Sequence, residues 1–198
     1  IEINISCPNV KEGGVAFGND PDMSARVVEA CRKATKKPLI TKLSPNQTDI
    51  ALNARRCIEA GTDGFAVINT LMGMAIDIET RRPVIGNNQG GLSGPAIKPI
   101  ALLKVQQVAQ VCRAHKIPII GQGGVTTASD ALEFLIAGAT AVGVGTALFY
   151  DPLVCPKLNA GIVAYLDRHN LNNVSQLTDT LQLHGQASAC APAAACGN

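Results

Sequence analysis

The sequence has few aromatic residues and few charges. Aromatic residues make up 3% of its 198 positions, tryptophan is absent, and charged residues make up 16%, with a formal net charge of +2. Domains that bind nucleic acids usually carry a strongly basic face, and those that bind single strands also use aromatic rings on which bases stack. Because the chain has neither feature, we expect no nucleic-acid partner.

Long apolar runs are also absent. No stretch is long and apolar enough to cross a membrane, and the first residues do not form the charged and apolar regions of a signal peptide. We therefore expect no membrane partner. The chain begins at Ile1, inside an apolar run that is typical of a β-strand, and we interpret it as a fragment of a longer protein.

Paired metal-binding motifs are missing as well, although the chain has seven cysteines. Their number is odd, their spacing is irregular, and no Cys-x-x-Cys pair occurs, so we expect reduced thiols and a cytoplasmic protein rather than a disulfide framework or a zinc site. The histidines are His115, His169 and His184. All are predicted at the surface, and none is a candidate partner for a cysteine nucleophile.

What the sequence does contain is a regular alternation of apolar runs and amphipathic stretches. Strands are predicted over residues 1–5, 38–43, 64–69, 117–120 and 141–146. Helices are predicted from residues 20, 50, 99 and 127, and over about 156–168 and 174–183. The first of these helices has Met23, Val27, Ala30 and Ala34 as its expected inward face. A small hairpin at 76–85 and a glycine-rich turn at 90–94 interrupt the alternation.

Strands joined by helices in this order predict a parallel sheet with right-handed crossovers. We interpret residues 1–184 as an α/β domain, the C-terminal five or so βα units of a TIM (β/α)8 barrel, with three units missing upstream. A doubly wound open sheet is the alternative, but it lacks the support of a GxGxxG turn followed by an acidic residue. Residues 185–198 are rich in alanine, glycine and serine and are predicted to be a disordered tail.

Polar or glycine-rich residues follow each predicted strand. In a parallel barrel the carboxyl ends of the strands meet at one face, which holds the functional residues. The segments expected there are Asn4–Asn9, Lys42–Ser44, Asn69–Thr70, Gly121–Gly124 and Gly145–Thr146. The sequence therefore predicts one polar mouth built from five strand ends.

The last two strand ends predict a phosphate site. Gly123 and Gly124 follow one strand, and Gly145 and Thr146 follow the next. TIM barrels often bind a phosphate at this place through backbone N–H groups and a nearby helix N-terminus. The alternative is that these glycines only form tight turns.

Cys7 is the candidate catalytic base. It lies between Asn4 and Asn9, and a loop with three glycines follows it over residues 10–19. A thiol whose pKa is tuned by its site accepts a proton, and a loop above it excludes water. A buried structural cysteine is the alternative. Lys42 could stabilise negative charge on a ring, and Asn69 offers an uncharged donor and acceptor.

These motifs resemble the dihydroorotate dehydrogenases, specifically the soluble class 1 enzymes. The matching segments are Asn4–Asn9, Lys42–Asn46, Ile68–Thr70, Gly90–Pro95, Gly121–Val125 and Val144–Thr146, in family order over about residues 1–183. Cysteine at position 7 is similar to class 1, since class 2 has serine as the base. Residues 68–98 resemble the NAD-linked 1B branch most.

The resemblance implies an FMN-containing (β/α)8 barrel that oxidises (S)-dihydroorotate to orotate in pyrimidine biosynthesis. By resemblance, Cys7 would take the C5 proton while hydride leaves C6 for the flavin. Asn4, Asn9, Asn69 and Thr70 would hold the substrate. The residues implied in FMN binding are Asn4, Lys42, Ile68, Gly94, Gly123, Gly124, Gly145 and Thr146.

A separate iron–sulfur and FAD subunit is also implied by the 1B resemblance, together with an oligomer. Two other functions remain open at this point. One is a flavoenzyme similar to the dihydropyrimidine dehydrogenases, which share the barrel and a cysteine base. The other is a non-catalytic, phosphate-binding piece of a barrel in which Cys7 is merely buried.

Overall fold

The computed structural model of the chain describes residues 1–6 and 15–185. The side chains of residues 15 and 16 are not described. Cys7 and Asn9 lie outside the described residues, as do the first part of the glycine loop and nearly all of the predicted tail. Residues 15–19, predicted as part of that loop, form a short helix instead.

Nine strands run through the described residues. They are β1 (Glu2–Asn4), β2 (Ile40–Leu43), β3 (Gly64–Val67), β4 (Leu71–Gly73), β5 (Ile76–Asp77), β6 (Arg82–Pro83), β7 (Gly90–Leu92), β8 (Ile119–Gln122) and β9 (Ala141–Gly143). Five of them form the main sheet in the order β1-β2-β3-β8-β9, and every pair in it is parallel. The predicted parallel sheet is thus confirmed, and its order follows the chain.

The register of the sheet brings the predicted strand ends to one edge. Asn4 pairs with Lys42, and Lys42 pairs with Ala66 on the next strand. Further along the sheet, Val67 pairs with Gly121. Because parallel strands in this register end at the same level, their carboxyl ends form a common face.

Six α-helices accompany the strands. They are α1 (Val15–Asn19), α2 (Pro21–Ala34), α3 (Ile50–Glu59), α4 (Lys98–Cys112), α5 (Ala128–Ile136) and α6 (Val154–Arg168). Short 3-10 turns lie at Pro95–Ile97, Arg113–His115, Thr146–Phe149 and Val174–Gln176. No helix in the described part of the chain is both long and apolar enough to cross a bilayer.

Local capping explains where two helices begin. The Asp20 carboxylate accepts from the backbone N–H groups of Asp22 and Met23, and Pro21 occupies the first turn of α2, where its missing donor costs nothing. A reciprocal capping box between Thr127 and Asp130 starts α5, as the sequence predicts. These caps set the entry of the chain into each helix directly after a loop.

The core lies between the helices and the sheet. Strand β3 is buried along its whole length, and Phe65 and Val67 are fully inaccessible to solvent. On α3, Ile50, Ala54 and Cys57 are fully buried. Burial of β3 on both of its faces explains its continuous apolar run.

The predicted inward face of α2 is confirmed only in part, through Val27, which packs against the core. Ser24 and Val28 are the fully buried residues, whereas Ala30 and Ala34 are exposed. The Ser24 hydroxyl donates to the backbone carbonyl of Phe17 at 2.8 Å, which ties α1 to α2. This contact depends on a neighbouring element, so it has no signal in the apolar spacing of α2 itself.

The segment between β3 and α4 combines a confirmed and a wrong prediction. The hairpin is confirmed, since β5 and β6 pair antiparallel. Residues 90–92, predicted as a turn, form strand β7, which pairs antiparallel with β4. The pairing of Met72 with Gly91 brings the segment between β3 and α4 back across the carboxyl end of the sheet.

The predicted final helix at 174–183 is also wrong, since only the turn Val174–Gln176 forms. Asp179 has a φ of 62°, which ends helical geometry. Its backbone N–H donates to the carbonyl of Leu135, and that of Leu181 donates to Ile136. The segment therefore satisfies carbonyls at the end of α5 instead of extending as a helix.

Candidate functional site

A cavity of about 390 Å³ opens at the carboxyl ends of the parallel strands. Its volume falls in the range of small-molecule sites, roughly 300–1,000 Å³. The lining residues are Lys42, Ile68, Asn69, Thr70, Ser93, Gly94, Ile97, Gln122, Gly123, Gly124, Gly143, Val144, Gly145, Thr146 and Phe149. They come from four strand ends and from the turn before α4.

The glycines after β8 have a conformation and a close approach that side chains would prevent. Gly123 and Gly124 have φ values of 133° and 80°. A Cβ on Gly124 would lie 2.7 Å from the carbonyl oxygen of Gly94, and one on Gly123 would lie 2.8 Å from the Cβ of Ala101. The loop after β8 therefore packs directly against the turn that precedes α4.

The loop after β9 is more open. A Cβ on Gly145 would meet nothing within 4 Å, so its backbone borders free space in the cavity. Thr146 follows at the start of a 3-10 turn whose N-cap residue, Gly145, has no side chain with which to cap it. Two glycine-containing loops thus face each other across the same cavity, as the sequence predicts.

Two backbone donors at the start of α5 are engaged by a side chain of the same helix. The backbone N–H groups of Thr126 and Thr127 both donate to the Asp130 carboxylate, at 3.0 and 2.8 Å. These donors are satisfied within the chain. Neither of these two N–H groups is therefore free to bind an anion in the cavity.

Asparagine side chains form the other end of the site. The Asn69 Nδ2 donates to Asn4 Oδ1 at 3.0 Å and to Ser6 Oγ at 2.7 Å. Its Oδ1 accepts from the backbone N–H of Thr70 at 2.8 Å. Asn69 is thereby fixed in orientation, and it connects the ends of β1 and β3.

Lys42 brings a positive charge to the cavity. Its Nζ lies 3.4 Å from Glu2 Oε1, and its side chain is 23% exposed. It is the only Lys or Arg among the described residues that line the cavity. The long separation from Glu2 leaves the ammonium group able to interact with a ligand as well.

Two hydrogen bonds with Gln122 hold the backbone of Ile68. The Ile68 backbone N–H donates to the Gln122 carbonyl at 3.0 Å, and Gln122 Nε2 donates back to the Ile68 carbonyl at 3.1 Å. This pair joins β3 to β8 at the floor of the cavity. The apolar Ile68 residue lines the cavity, and its side chain lies near Gly123.

No described cysteine lines the cavity. Burial raises the pKa of the Cys57 and Cys112 thiols to about 12, so both are protonated and unreactive at ordinary pH. Ser6, which directly precedes Cys7, is buried beside Asn69. Nor do the described residues contain a group of three or more metal-ligating side chains.

Comparison with known proteins identifies the family of this chain. The family model described as dihydroorotate dehydrogenase matches residues 1–166. The chain belongs to the dihydroorotate dehydrogenase family. The coarse prediction of a parallel α/β sheet of the TIM-barrel type agrees with the solved structures of this family that the chain resembles.

The relatives are more similar in sequence than the solved structures. A dihydroorotate dehydrogenase B (NAD(+)) catalytic subunit from Pelobacter propionicus is 54% identical, covering 92% of this chain and 59% of the relative. The Enterococcus faecalis subunit of the same name is 50% identical, covering 96% of this chain and 59% of the relative. A crystal structure of DHODH from Eimeria tenella with ferulenol is 25% identical, with a TM-score of 0.74, and covers 89% of this chain and 52% of that one.

The chain therefore spans about three fifths of the length of these curated relatives. Every described site residue predicted from the resemblance to dihydroorotate dehydrogenases lines the cavity except Asn4, which reaches it through Asn69. Cys7 and Asn9 lie outside the described residues. The structure brings the others together from five separate strand ends.

Sequence reasoning missed three supporting residues of this dihydroorotate dehydrogenase family site. They are Ser6, Asn46 and Gln122. Asn46 Nδ2 donates to the Thr70 carbonyl at 3.0 Å, and its Oδ1 accepts from the Met72 N–H at 2.8 Å. All three stand inside the quoted motifs, so a polar residue among otherwise apolar or glycine positions was the available signal.

Proposed function

We propose that this chain is the FMN- and substrate-binding part of an enzyme that oxidises (S)-dihydroorotate to orotate in pyrimidine biosynthesis. The observation that carries the proposal is a single cavity with two glycine loops at one end and a fixed asparagine pair at the other. We take residues 1–184 as the C-terminal βα units of a TIM barrel and residues 185–198 as a separate tail.

The glycine loops support binding of the FMN phosphate. Gly123, Gly124, Gly145 and Thr146 border the cavity without bulky side chains, and Gly94 lies against Gly124. Backbone N–H groups in such loops suit a dianionic phosphate. When bound, FMN supplies the hydride acceptor for this chemistry.

The flavin ring would extend from these loops toward Lys42 and Ile68. The ammonium group of Lys42 would stabilise negative charge at the polar edge of the ring. Ile68 offers an apolar surface whose position Gln122 fixes through the hydrogen bonds described above. Asn4, adjacent to Lys42 in the sheet, would contact both ring and substrate.

The substrate would lie over the asparagine end of the cavity. Dihydroorotate presents ring carbonyls, ring N–H groups and a carboxylate, which amide side chains and a hydroxyl bind without adding charge. Asn4, Asn9, Asn69 and Thr70 would take this role. Cys7 would accept the proton from C5, and the residues after it would exclude water during that step.

The names of the bacterial relatives support a class 1B assignment. They are catalytic subunits of an NAD(+)-linked enzyme. We therefore propose a separate iron–sulfur and FAD subunit as electron-transfer partner, within an oligomer. Location in the cytoplasm stays a prediction.

The role of Cys7 is tested by Cys7→Ala in the purified holoprotein, with Cys155→Ala as the matched control at an exposed thiol that does not line the cavity. The measured quantity is the rate of flavin reduction by dihydroorotate. We expect Cys7→Ala to lower it by about two orders of magnitude or more, in the range of lost general-base catalysis. An unchanged rate and pH profile would show that Cys7 is not the base.

A further inference from the structure

The Asp130 carboxylate accepts hydrogen bonds from two segments that are separate in the sequence. Its Oδ2 accepts from the Thr126 N–H at 3.0 Å, the Thr126 hydroxyl at 2.9 Å and the Thr127 N–H at 2.8 Å. Its Oδ1 accepts from Lys98 Nζ at 2.6 Å. The carboxylate therefore holds the end of the glycine loop after β8, while its side chain is only 11% exposed.

Lys98 lies in the segment against which this loop packs. It is the first residue of α4 and follows the turn that begins at Gly94. Its Nζ also lies 2.9 Å from Glu133 Oε1. A Cβ on Gly124 would lie 3.0 Å from the Cβ of Lys98 and 2.7 Å from the Gly94 carbonyl oxygen, so the two backbones are in contact.

Neither Lys98 nor Asp130 lines the cavity. The contact of Gly94 with Gly124 has no side chain to hold it, since both residues are glycines. Gly123 also lies close to Ala101 and Ile97, and these contacts are apolar. The ion pair of Lys98 with Asp130 adds a polar connection between the start of α4 and the residues that end the loop.

The charge states of Lys98 and Asp130 also support a stable ion pair between them. Burial alone would raise the pKa of Asp130, but the hydrogen bonds from Lys98, Thr126 and Thr127 outweigh it and hold the pKa well below its ordinary value. The pKa of Lys98 is raised, chiefly by its hydrogen bond to Asp130. Both groups are therefore charged across the working pH range, so the pair persists there.

We propose that Lys98 and Asp130 are positioning residues for phosphate binding, because their ion pair clamps the Gly123–Gly124 loop against the Gly94 turn in its anion-binding conformation. The inference rests on the proposed function, since the anion is taken to be the phosphate of FMN. Neither residue touches the phosphate. They act through the backbone of the loop, and loss of the pair weakens phosphate binding rather than ring binding.

Riboflavin provides the test, because it has the flavin ring and ribityl chain but no phosphate. Dissociation constants for FMN and riboflavin are measured by flavin fluorescence with the wild-type chain, Asp130→Asn and Lys98→Met. We expect both variants to weaken FMN binding about tenfold, the loss that one charged hydrogen bond represents, and to leave riboflavin binding unchanged within twofold. Lys98→Arg, which keeps the cation, should retain most of the FMN affinity.

Asp179→Asn is the matched control. Asp179 forms a two-bond ion pair with Arg113, and neither residue lines the cavity. We expect it to leave both flavin affinities unchanged. Should Asp130→Asn fail to fold, Lys98→Met decides, because it keeps the three hydrogen bonds that Thr126 and Thr127 donate to Asp130.

Equal losses for FMN and riboflavin would overturn the inference, since they indicate a general structural role. Unchanged FMN binding in both variants would overturn it as well. If the wild-type chain binds neither flavin, the proposed function fails and the inference falls with it. That result is distinct from the other two because it requires no variant.

Discussion

Asn69 shows how much of the site depends on the orientation of one amide. Its Nδ2 donates to Asn4 and Ser6, and its Oδ1 accepts from Thr70. An aspartate has the same shape but no donor, so it would place a negative charge opposite Asn4 Oδ1. Under the proposed function, the carboxylate of dihydroorotate would then meet this negative charge in the cavity.

We therefore predict that Asn69→Asp raises the KM for dihydroorotate by about tenfold or more, since one charged hydrogen bond is lost and a repulsion is added. FMN content of the holoprotein should stay unchanged. Asn159→Asp, at an exposed position on α6, is the matched control and should leave KM unaltered. Equal KM values for Asn69→Asp and the wild type would remove Asn69 from the substrate site.

The burial of the described thiols predicts which of them react with an alkylating reagent. Cys57 and Cys112 have a pKa raised to about 12 by burial, so the reactive thiolate is negligible at neutral pH. Cys155 is exposed. Iodoacetamide at pH 8 followed by peptide mass spectrometry should modify Cys155 and leave Cys57 and Cys112 unmodified until the chain is unfolded. Rapid labelling of Cys57 in the native chain would contradict the packing of α3 described above.

At the scale of elements, the loop after β8 carries the most specific requirement. Gly124 has a φ of 80°, and a Cβ there would overlap the Gly94 carbonyl. An alanine would thus add backbone strain of about 1 kcal/mol and also push the loop away from the turn before α4. The expected result is separation of the two walls of the proposed phosphate site.

Gly124→Ala should lower FMN affinity by at least about tenfold, which corresponds to roughly 1.4 kcal/mol. Isothermal titration of the apoprotein with FMN measures it. Gly86→Ala is the control, because a Cβ at Gly86 would meet nothing within 4 Å and its φ is not in the left-handed region. If both alanines bind FMN as the wild type does, the loop after β8 is not the phosphate site.

The elements also show what the sequence could predict and why. The five parallel strands and the helices α2 to α6 follow from apolar periodicity and from caps that act within a few residues, such as the box between Thr127 and Asp130. The errors occur where distant segments decide the conformation. Strand β7 needs β4 as its partner, and residues 177–181 turn back to satisfy the end of α5.

The candidate site divides in the same way. Residues at strand ends could be predicted, because parallel topology places Lys42, Asn69 and Gly123 at one face whatever the details of packing. The hydrogen bonds that orient them could not, since Gln122, Asn46 and Ser6 act across strands far apart in sequence. The link between Lys98 and Asp130 is likewise a product of folding, and spacing alone gives no sign of it.

At the scale of the whole molecule, the proposed function depends on one cavity that has two kinds of lining residue. The glycine loops come from β8 and β9, and the asparagine and lysine side chains come from β1, β2 and β3. The sheet order places these groups in sequence across a single face. A flavin mononucleotide would span that face from its phosphate to its ring.

The most direct test of this account is a titration of the 198-residue chain with FMN, followed by flavin fluorescence in the absence and presence of inorganic phosphate. We predict saturable binding of one FMN per chain, weakened by inorganic phosphate, with riboflavin binding more weakly and insensitively to phosphate. Absence of saturable FMN binding by the folded chain, or equal affinities for FMN and riboflavin, would contradict it.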